Sequence, residues 1–255
     1  MDLGLVGARV IVTAGAGGIG RGVADAFLAE GARVELCDVD QTALAGLPEG
    51  LTGTSCDVTD RAGVAAFVEG AVARLGGLDI LINNAGIAGP TGPVEEIAPE
   101  DWDRCVAVCL TGQFNLARLA IPHLRQSDNA SIVNVSSAAG KCGFPLRSAY
   151  AAAKWGVIGF TKSLAMELGP DRIRVNALLP GIVAGDRIRR VMEAKAQRRG
   201  VSFAEVEAEM FSYTSIPDYV TPEQLAAQVL FLSSRHGATI SGQAVSVCGD
   251  TKMLA

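Results

Sequence analysis

Short runs of consecutive apolar residues recur along the chain, separated by longer stretches in which apolar positions return every three or four residues. The runs lie at Arg9–Thr13, Arg33–Asp38, Leu78–Asn83, Ile132–Ser136, Arg174–Leu179 and Ala244–Val247. Apolar residues at consecutive rather than alternate positions predict strands covered on both faces. The intervening periodicity predicts helices over Ile19–Glu30, Ala62–Leu75, Pro99–Leu124, Tyr150–Leu168 and Pro222–Leu232. Thr221-Pro222-Glu223-Gln224 combines a capping Thr, Pro at the first helical position and Gln at the third; Ser202-Phe203-Ala204-Glu205 has the spacing of a capping box. Strands alternating with helices predict an α/β protein, with a doubly wound parallel sheet of about seven strands and helices on both faces.

Composition bounds this picture. The 255 residues are 49% hydrophobic and include 30 glycines, while aromatics make up only 5%, a mixture suited to close-packed helices on a sheet. No repeat, low-complexity tract or Pro/Gly/Ser-rich linker divides the chain, so a single domain, 1–255, is expected. One excursion, 185–220, falls between the last long helix-strand unit and the final helix, where an insertion can lie over the carboxyl edge of the sheet as a substrate lid. The net charge of −5, from 22 basic and 27 acidic residues spread along the chain, offers no basic field for a phosphate backbone. Nucleic acid is not an expected partner.

The six cysteines are scattered without a CxxC pair, which predicts reduced, buried thiols and a cytoplasmic protein. Cys105 and Cys109 are four apart on a predicted helix but lack a third and fourth ligand, so no metal is expected. The start, Met1-Asp2-Leu3-Gly4, has neither a basic segment nor an apolar core, and no membrane contact is expected.

Two clusters carry chemistry. In Thr13-Ala14-Gly15-Ala16-Gly17-Gly18-Ile19-Gly20, glycines follow the first strand and open a helix, a context in which backbone NH groups and the helix N-terminus can face a phosphate. Asp38 ends the second strand twenty residues after Gly18, where a carboxylate can hold the hydroxyls of an adenosine ribose and repel a 2′-phosphate. No Arg follows it. NAD is therefore expected rather than NADP.

The second cluster is Tyr150-Ala151-Ala152-Ala153-Lys154, with Ser137 thirteen residues upstream. Residues four apart share a helix face, so Lys154 stands one turn beyond Tyr150. Free tyrosine, with a pKa of about 10, is a weak base at neutral pH. A nearby ammonium favours the phenolate and moves the group toward the range useful in acid/base catalysis.

In order along the chain, the glycine loop at Thr13–Gly20, Asp57-Val58 after the third strand, Asn83-Asn84-Ala85-Gly86 after the fourth, the Ser137/Tyr150/Lys154 set and Pro180-Gly181 after the sixth resemble the short-chain dehydrogenase/reductase family over essentially the whole chain. The resemblance implies a Rossmann-like sheet and an NAD-dependent oxidoreductase acting on a secondary alcohol and its ketone. By it, Gly15, Gly17, Gly18, Ile19 and Gly20 hold the pyrophosphate, Asp57 and Val58 the adenine, Asn84, Ala85 and Gly86 the ribose region, and Pro180, Gly181 and Val183 the nicotinamide. Tyr150 is implied as general acid/base, Lys154 as the cation that lowers its pKa and binds the nicotinamide ribose, and Ser137 as the holder of the substrate oxygen. The thirteen-residue gap selects Ser137 over its neighbour Ser136. A homotetramer through the two long helices is also implied.

Four positions depart from that family. Ala14 replaces a loop glycine, which is tolerable at negative φ. Cys109 stands where a relay Asn is usual, Gly185 where a Thr commonly contacts the nicotinamide amide, and Cys248 where an Asp is usual, with packing or an oligomer contact the expected consequence. These departures motivate an alternative, a catalytically weak NAD-binding regulator or scaffold. Around the substrate, Lys141, Phe144, Leu146 and Arg147 are pocket candidates. In the excursion, Phe203, Val206, Met210 and Phe211 form an apolar stripe whose simplest role is packing on the protein body. The cations Arg187, Arg189, Arg190, Lys195, Arg198 and Arg199 are a solvated helix face in the plain reading and anion-binding groups in the sharper one. His123 and His236 receive no catalytic role.

Overall fold

β1 (Arg9–Thr13) stands near the middle of a seven-stranded sheet. β2 (Arg33–Asp38) and β3 (Leu51–Ser55) lie to one side, and β4 (Ile80–Asn83), β5 (Ser131–Val135), β6 (Arg174–Pro180) and β7 (Ala244–Val247) to the other. In this computed structural model, which describes residues 1–252, every strand pairing is parallel. β3 is the strand that the apolar runs do not reveal. It is an edge strand of sequence Leu-Thr-Gly-Thr-Ser in which only Leu51 is buried, so its pairing with β2 leaves no hydrophobic signature.

Both faces of the sheet are covered, and the side chains of successive residues divide between them. Ile11, Leu81 and Ile132 join one core with Phe67, Leu116 and Leu164, from α3 (Arg61–Leu75), α5 (Gly112–Leu124) and α6 (Ser148–Leu168). Val10, Val12, Ile80 and Ile82 join the other with Phe27 of α1 (Gly18–Ala29) and Val229 of α9 (Pro222–Ser233). Each large aliphatic side chain so buried contributes roughly 1.5–3 kcal/mol. α2 (Gln41–Ala45) is a short turn of helix capped by Asp40, whose carboxylate accepts from the amides of Thr42 and Ala43.

The helical run Pro99–Leu124 is continuous but not uniform. A π-helical segment, Ala107–Thr111, separates α4 (Pro99–Val106) from α5 and carries Cys109. The run has the length and mean hydropathy, 1.3, of a membrane span, yet half of its apolar window is packed inside the fold, including Leu116 and Leu124.

The excursion forms α7 (Asp186–Arg199) and α8 (Phe203–Ser212), with the predicted capping box at Ser202 and Glu205. Its ends are tied together by a bridge between Val183 and Val220. Met192, Ala196 and Val206 make a small core of its own. Most of the apolar stripe is thus used internally: Val206 fills this core, and Phe211 meets the Tyr219 ring edge-on at 4.9 Å.

Candidate active site

A cavity of about 820 Å³ opens at the carboxyl ends of the strands. Residues at the ends of β1, β2, β4, β5 and β6 line it, among them Ala14, Asp38, Asn84, Ser136 and Pro180. It lies where the strand order reverses between β1 and β4, the crevice in which open α/β sheets bind ligands. α7 and α8 contribute much of the remaining wall, through residues such as Ile188, Lys195 and Met210.

At one end, Gly17, Gly18 and Ile19 line the cavity at the start of α1. A Cβ added at Gly17 or Gly18 would meet nothing within 4 Å, so this backbone is open to close approach; Gly18 also has a φ of +53°. Gly15 and Gly20 have a different task. An added Cβ would fall 2.7 Å from Leu36 Cβ at Gly15 and against the Ala14 carbonyl at Gly20, so these two let chain segments pack closely rather than face the cavity. Asp38 lies in the wall, its carboxylate accepting from the amides of Ala16 and Asp40, each at 3.1 Å.

Asn84 ties the loops after β1 and β4 together: its Nδ2 donates to the carbonyls of Thr13 and Ala14 at 3.0 Å, and the Asn84 and Ala85 amides both donate to Thr13 Oγ1 at 2.9 Å. Asn84 and Gly86 line the cavity, whereas Ala85 is buried behind them. Asp57 and Val58 lie outside the lining; Asp57 accepts from the Thr59 amide and hydroxyl, and the Val58 carbonyl accepts from Asn115 Nδ2 at 2.9 Å. Pro180, Gly181 and Val183 line the far wall.

Ala14 departs from expectation. Its φ is +49°, in the left-handed region, and not negative. A Cβ there crowds the following carbonyl at a cost of about 1–2 kcal/mol. Gly185 has the converse explanation: it precedes α7 with a φ of +137°, which glycine reaches and threonine does not. Cys248 is buried, and its Sγ accepts from the Thr251 amide at 3.4 Å and Lys141 Nζ at 3.8 Å, so it serves contacts within the chain.

At the other end, Ser137, Tyr150 and Lys154 all line the cavity. Ser137 caps a short 3-10 turn, its Oγ accepting from the Ala139 amide at 3.2 Å, which leaves the hydroxyl hydrogen free to donate. Ser136 Oγ is buried and donates to the Lys154 carbonyl at 2.7 Å, a structural use that leaves Ser137 as the available serine. Tyr150 lies in the first turn of α6. Lys154 Nζ is 5.7 Å from the centre of its ring and donates to the Val135 carbonyl at 2.8 Å. Arg147 Cζ is 4.9 Å from the same ring centre.

Cys109 packs beside this group. An added Cβ at Gly86 would lie 3.3 Å from Lys154 Nζ and 3.6 Å from Cys109 Sγ. The thiol exchanges contacts with the Ile87 amide at 3.4 Å and carbonyl at 3.5 Å, fastening the π-helical segment to the loop after β4. Its neighbour Cys105, and then the Lys154 charge and the Ile87 amide, pull the Cys109 thiol below its ordinary value against the opposing effect of burial, and the Cys105 thiol is correspondingly raised.

Several lining residues have no signal in the sequence. Ile182 and Ala184 flank Val183 in one loop, but Tyr213 and Thr214 follow α8 and reach the cavity only because the excursion folds back over the sheet. His123 and His236 are not in the lining; His236 Nε2 meets the Asp2 carbonyl at 2.8 Å.

The model of the short chain dehydrogenase family matches residues 8–196. Over 246 residues the chain is 34% identical to D-beta-hydroxybutyrate dehydrogenase of Cupriavidus necator, covering 93% of this chain and 95% of that one. It is 44% identical over 177 residues to 2-dehydro-3-deoxy-L-rhamnonate dehydrogenase (NAD(+)) of a Sphingomonas species, covering 68% and 71%. Among solved structures, a variant of actinorhodin polyketide ketoreductase with NADPH superposes with a TM-score of 0.89 at 33% identity, over 95% of this chain and 96% of that one.

Proposed function

This chain belongs to the short-chain dehydrogenase family, and we propose that within it the protein transfers a hydride between NAD(H) and a secondary alcohol or its ketone. One observation carries the reading: Ser137, Tyr150 and Lys154 line the same cavity whose opposite end is the open glycine backbone of Gly17 and Gly18 with the Asp38 carboxylate. A nicotinamide dinucleotide fits this donor set. The Gly17–Ile19 amides and the positive end of α1 suit a pyrophosphate, Asp38 suits ribose hydroxyls, and the Lys154 ammonium suits the hydroxyls of the nicotinamide ribose. When bound, the nicotinamide accepts or returns the hydride of the carbinol carbon.

The chain's own groups handle the oxygen and its proton. In the oxidative direction the Tyr150 phenolate takes the proton of the substrate hydroxyl, and in reduction the phenol returns it. Ser137 donates its free hydroxyl hydrogen to the substrate oxygen and steadies charge developing there. The Lys154 cation beside the ring adds positive charge to the corner in which the proton moves. Relatives named as dehydrogenases and reductases support an enzyme over a regulator. Asp38 with no adjacent Arg supports NAD over NADP, as does the NAD(+) in the name of the Sphingomonas relative.

The proposal extends to assembly and place. Phe114 on α5 and Trp155 and Met166 on α6 are exposed large apolar residues on the two long helices, which supports a homotetramer through them; a monomer in light scattering would refute it. The six free cysteines fit a cytoplasmic protein.

Absorbance of NADH, followed across a panel of secondary alcohols and ketones with NAD and with NADP, tests the reaction. Turnover is expected with NAD, and Asp38→Ala should weaken NAD binding by roughly 10- to 100-fold by removing charge-assisted hydrogen bonds. Tight NAD binding without turnover of any alcohol or ketone would defeat the proposal.

A further inference from the structure

Two arginines are buried in this protein without a carboxylate within 4 Å among the described residues, and they are treated in opposite ways. Arg174, at the start of β6, is well met: its two terminal nitrogens donate to the carbonyls of Leu232, Ser233 and Ser234 and to Asn129 Oδ1. Arg147, only 4% exposed, has a single acceptor, the Ala88 carbonyl, and its buried Nε has none. A buried guanidinium left this bare is costly unless something else meets it. Arg147 lines the cavity beside Tyr150, so what meets its terminal nitrogens enters there.

The same corner holds more unpaired positive charge. Lys195, on α7, lies 5.8 Å from the Phe144 ring centre and has no hydrogen-bond or ion-pair partner among the described residues. Burial, and then repulsion from Arg147, pull its pKa below the ordinary lysine value. Arg147 is likewise pulled down by burial first. α6 begins at Ser148 with no side-chain cap, which adds the partial positive charge of a long helix at the residue after Arg147. The carboxylates nearby are already engaged: Glu209 with Arg199, and Asp186 with Arg189 at 3.7 Å.

Resting on the dehydrogenase reading, we propose that the substrate carries an acidic group, seated between Arg147 and Lys195. Arg147 fixes that group through its free donors, and Lys195 closes on it from the lid. Because Arg147 reaches the Tyr150 ring itself, the acid group is a few bonds from the carbinol carbon, which describes a short hydroxy or keto acid. Arg147 and Lys195 are specificity residues, and proton transfer stays with Tyr150.

Two measurements test this separately from the reaction. Butyrate, butanesulfonate and butyl phosphate, with butanamide as the neutral control, are added to the NAD-saturated protein and the melting temperature is read. At least one anion should raise it and butanamide should not, the strongest arm naming the acid group, and Arg147→Gln and Lys195→Gln should each erase the rise. If no anion stabilises the wild type, the subsite is refuted even if alcohols are oxidised. In turnover, short hydroxy acids are compared with their methyl esters. The acid should be favoured about 100-fold in kcat/KM, and each variant should bring that ratio toward one with NAD affinity unchanged. Equal rates for acid and ester, equal losses on both in the variants, or a fall in NAD affinity would overturn the assignment. Anion stabilisation without any alcohol turnover would leave the subsite standing and defeat the dehydrogenase reading instead.

Discussion

The two edges of the sheet treat charge differently. At the amino edge, charged groups close on one another: Arg9 reaches Asp79 through its Nε and backbone amide at 2.8 Å each and its Nη2 at 2.6 Å, Ser127 donates to the same carboxylate, and Arg174 is met by four oxygens. At the carboxyl edge, Ser137, Tyr150, Lys154, Asp38 and Arg147 line a cavity with bonding capacity left over. One edge uses its charges within the fold, and the other leaves them facing a cavity. Substitutions at the two should therefore separate activity from stability.

The largest separation is expected at Tyr150. Tyr150→Phe keeps the ring and its packing and removes the proposed proton carrier, so kcat/KM should fall roughly 10²- to 10⁴-fold while the urea midpoint stays within error. Parallel losses of both would break the contrast. Arg174→Met should do the reverse. It leaves the Leu232 carbonyl and Asn129 Oδ1 without a donor in the interior, while the Ser233 and Ser234 carbonyls keep Asn129 Nδ2 and the Gly237 amide, and about 2–4 kcal/mol of unfolding free energy should be lost while the remaining folded enzyme keeps its kcat.

The Arg9–Asp79 pair sharpens the amino-edge side through pH. Burial is the largest influence on Asp79 and opposes ionisation, but the hydrogen bonds from Arg9 and Ser127 with the Arg9 charge outweigh it, and the carboxyl pKa is lowered. A lowered folded-state pKa contributes stability that is fully present above the ordinary aspartate value and is lost as pH falls through the folded one. Acid titration of stability below about pH 4 should therefore be shallower in Asp79→Asn than in the wild type. Identical curves would remove Asp79 from the acid transition. The smallest effect belongs to the strained carboxyl edge: Ala14→Gly relieves a φ of +49° and should raise stability by about 0.5–1 kcal/mol, after the entropy that glycine adds to the unfolded chain is subtracted. A loss of stability would show that the left-handed Ala14 carries no strain.

Much of this edge was legible from spacing. Tyr150 and Lys154 are one turn apart on α6, and the glycine loop and Asp38 sit at consecutive strand ends, because local periodicity places them whatever the rest of the chain does. β3 was not legible as a run, since an edge strand of Thr, Gly and Ser buries little. Nor was the division among the glycines: Gly15 and Gly20 face neighbouring chain and Gly17 and Gly18 face the cavity, a difference set by what packs against each. Ala14 ran against expectation because backbone dihedrals in a tight loop are imposed by the elements on either side of it.

By itself the sequence determined the class of fold, the order of all its strands but β3, and the place of Tyr150 and Lys154 one turn apart on α6, all of which follow from short-range patterns of apolar, glycine and polar positions. Tertiary structure alone decided which serine is free, that Cys109 binds the Ile87 backbone, and that Arg147 and Lys195, 48 residues apart, share one corner with their charges unpaired. The reason is physical. A cation's meaning depends on which oxygens reach it, and those oxygens come from distant segments that only the packed fold brings near.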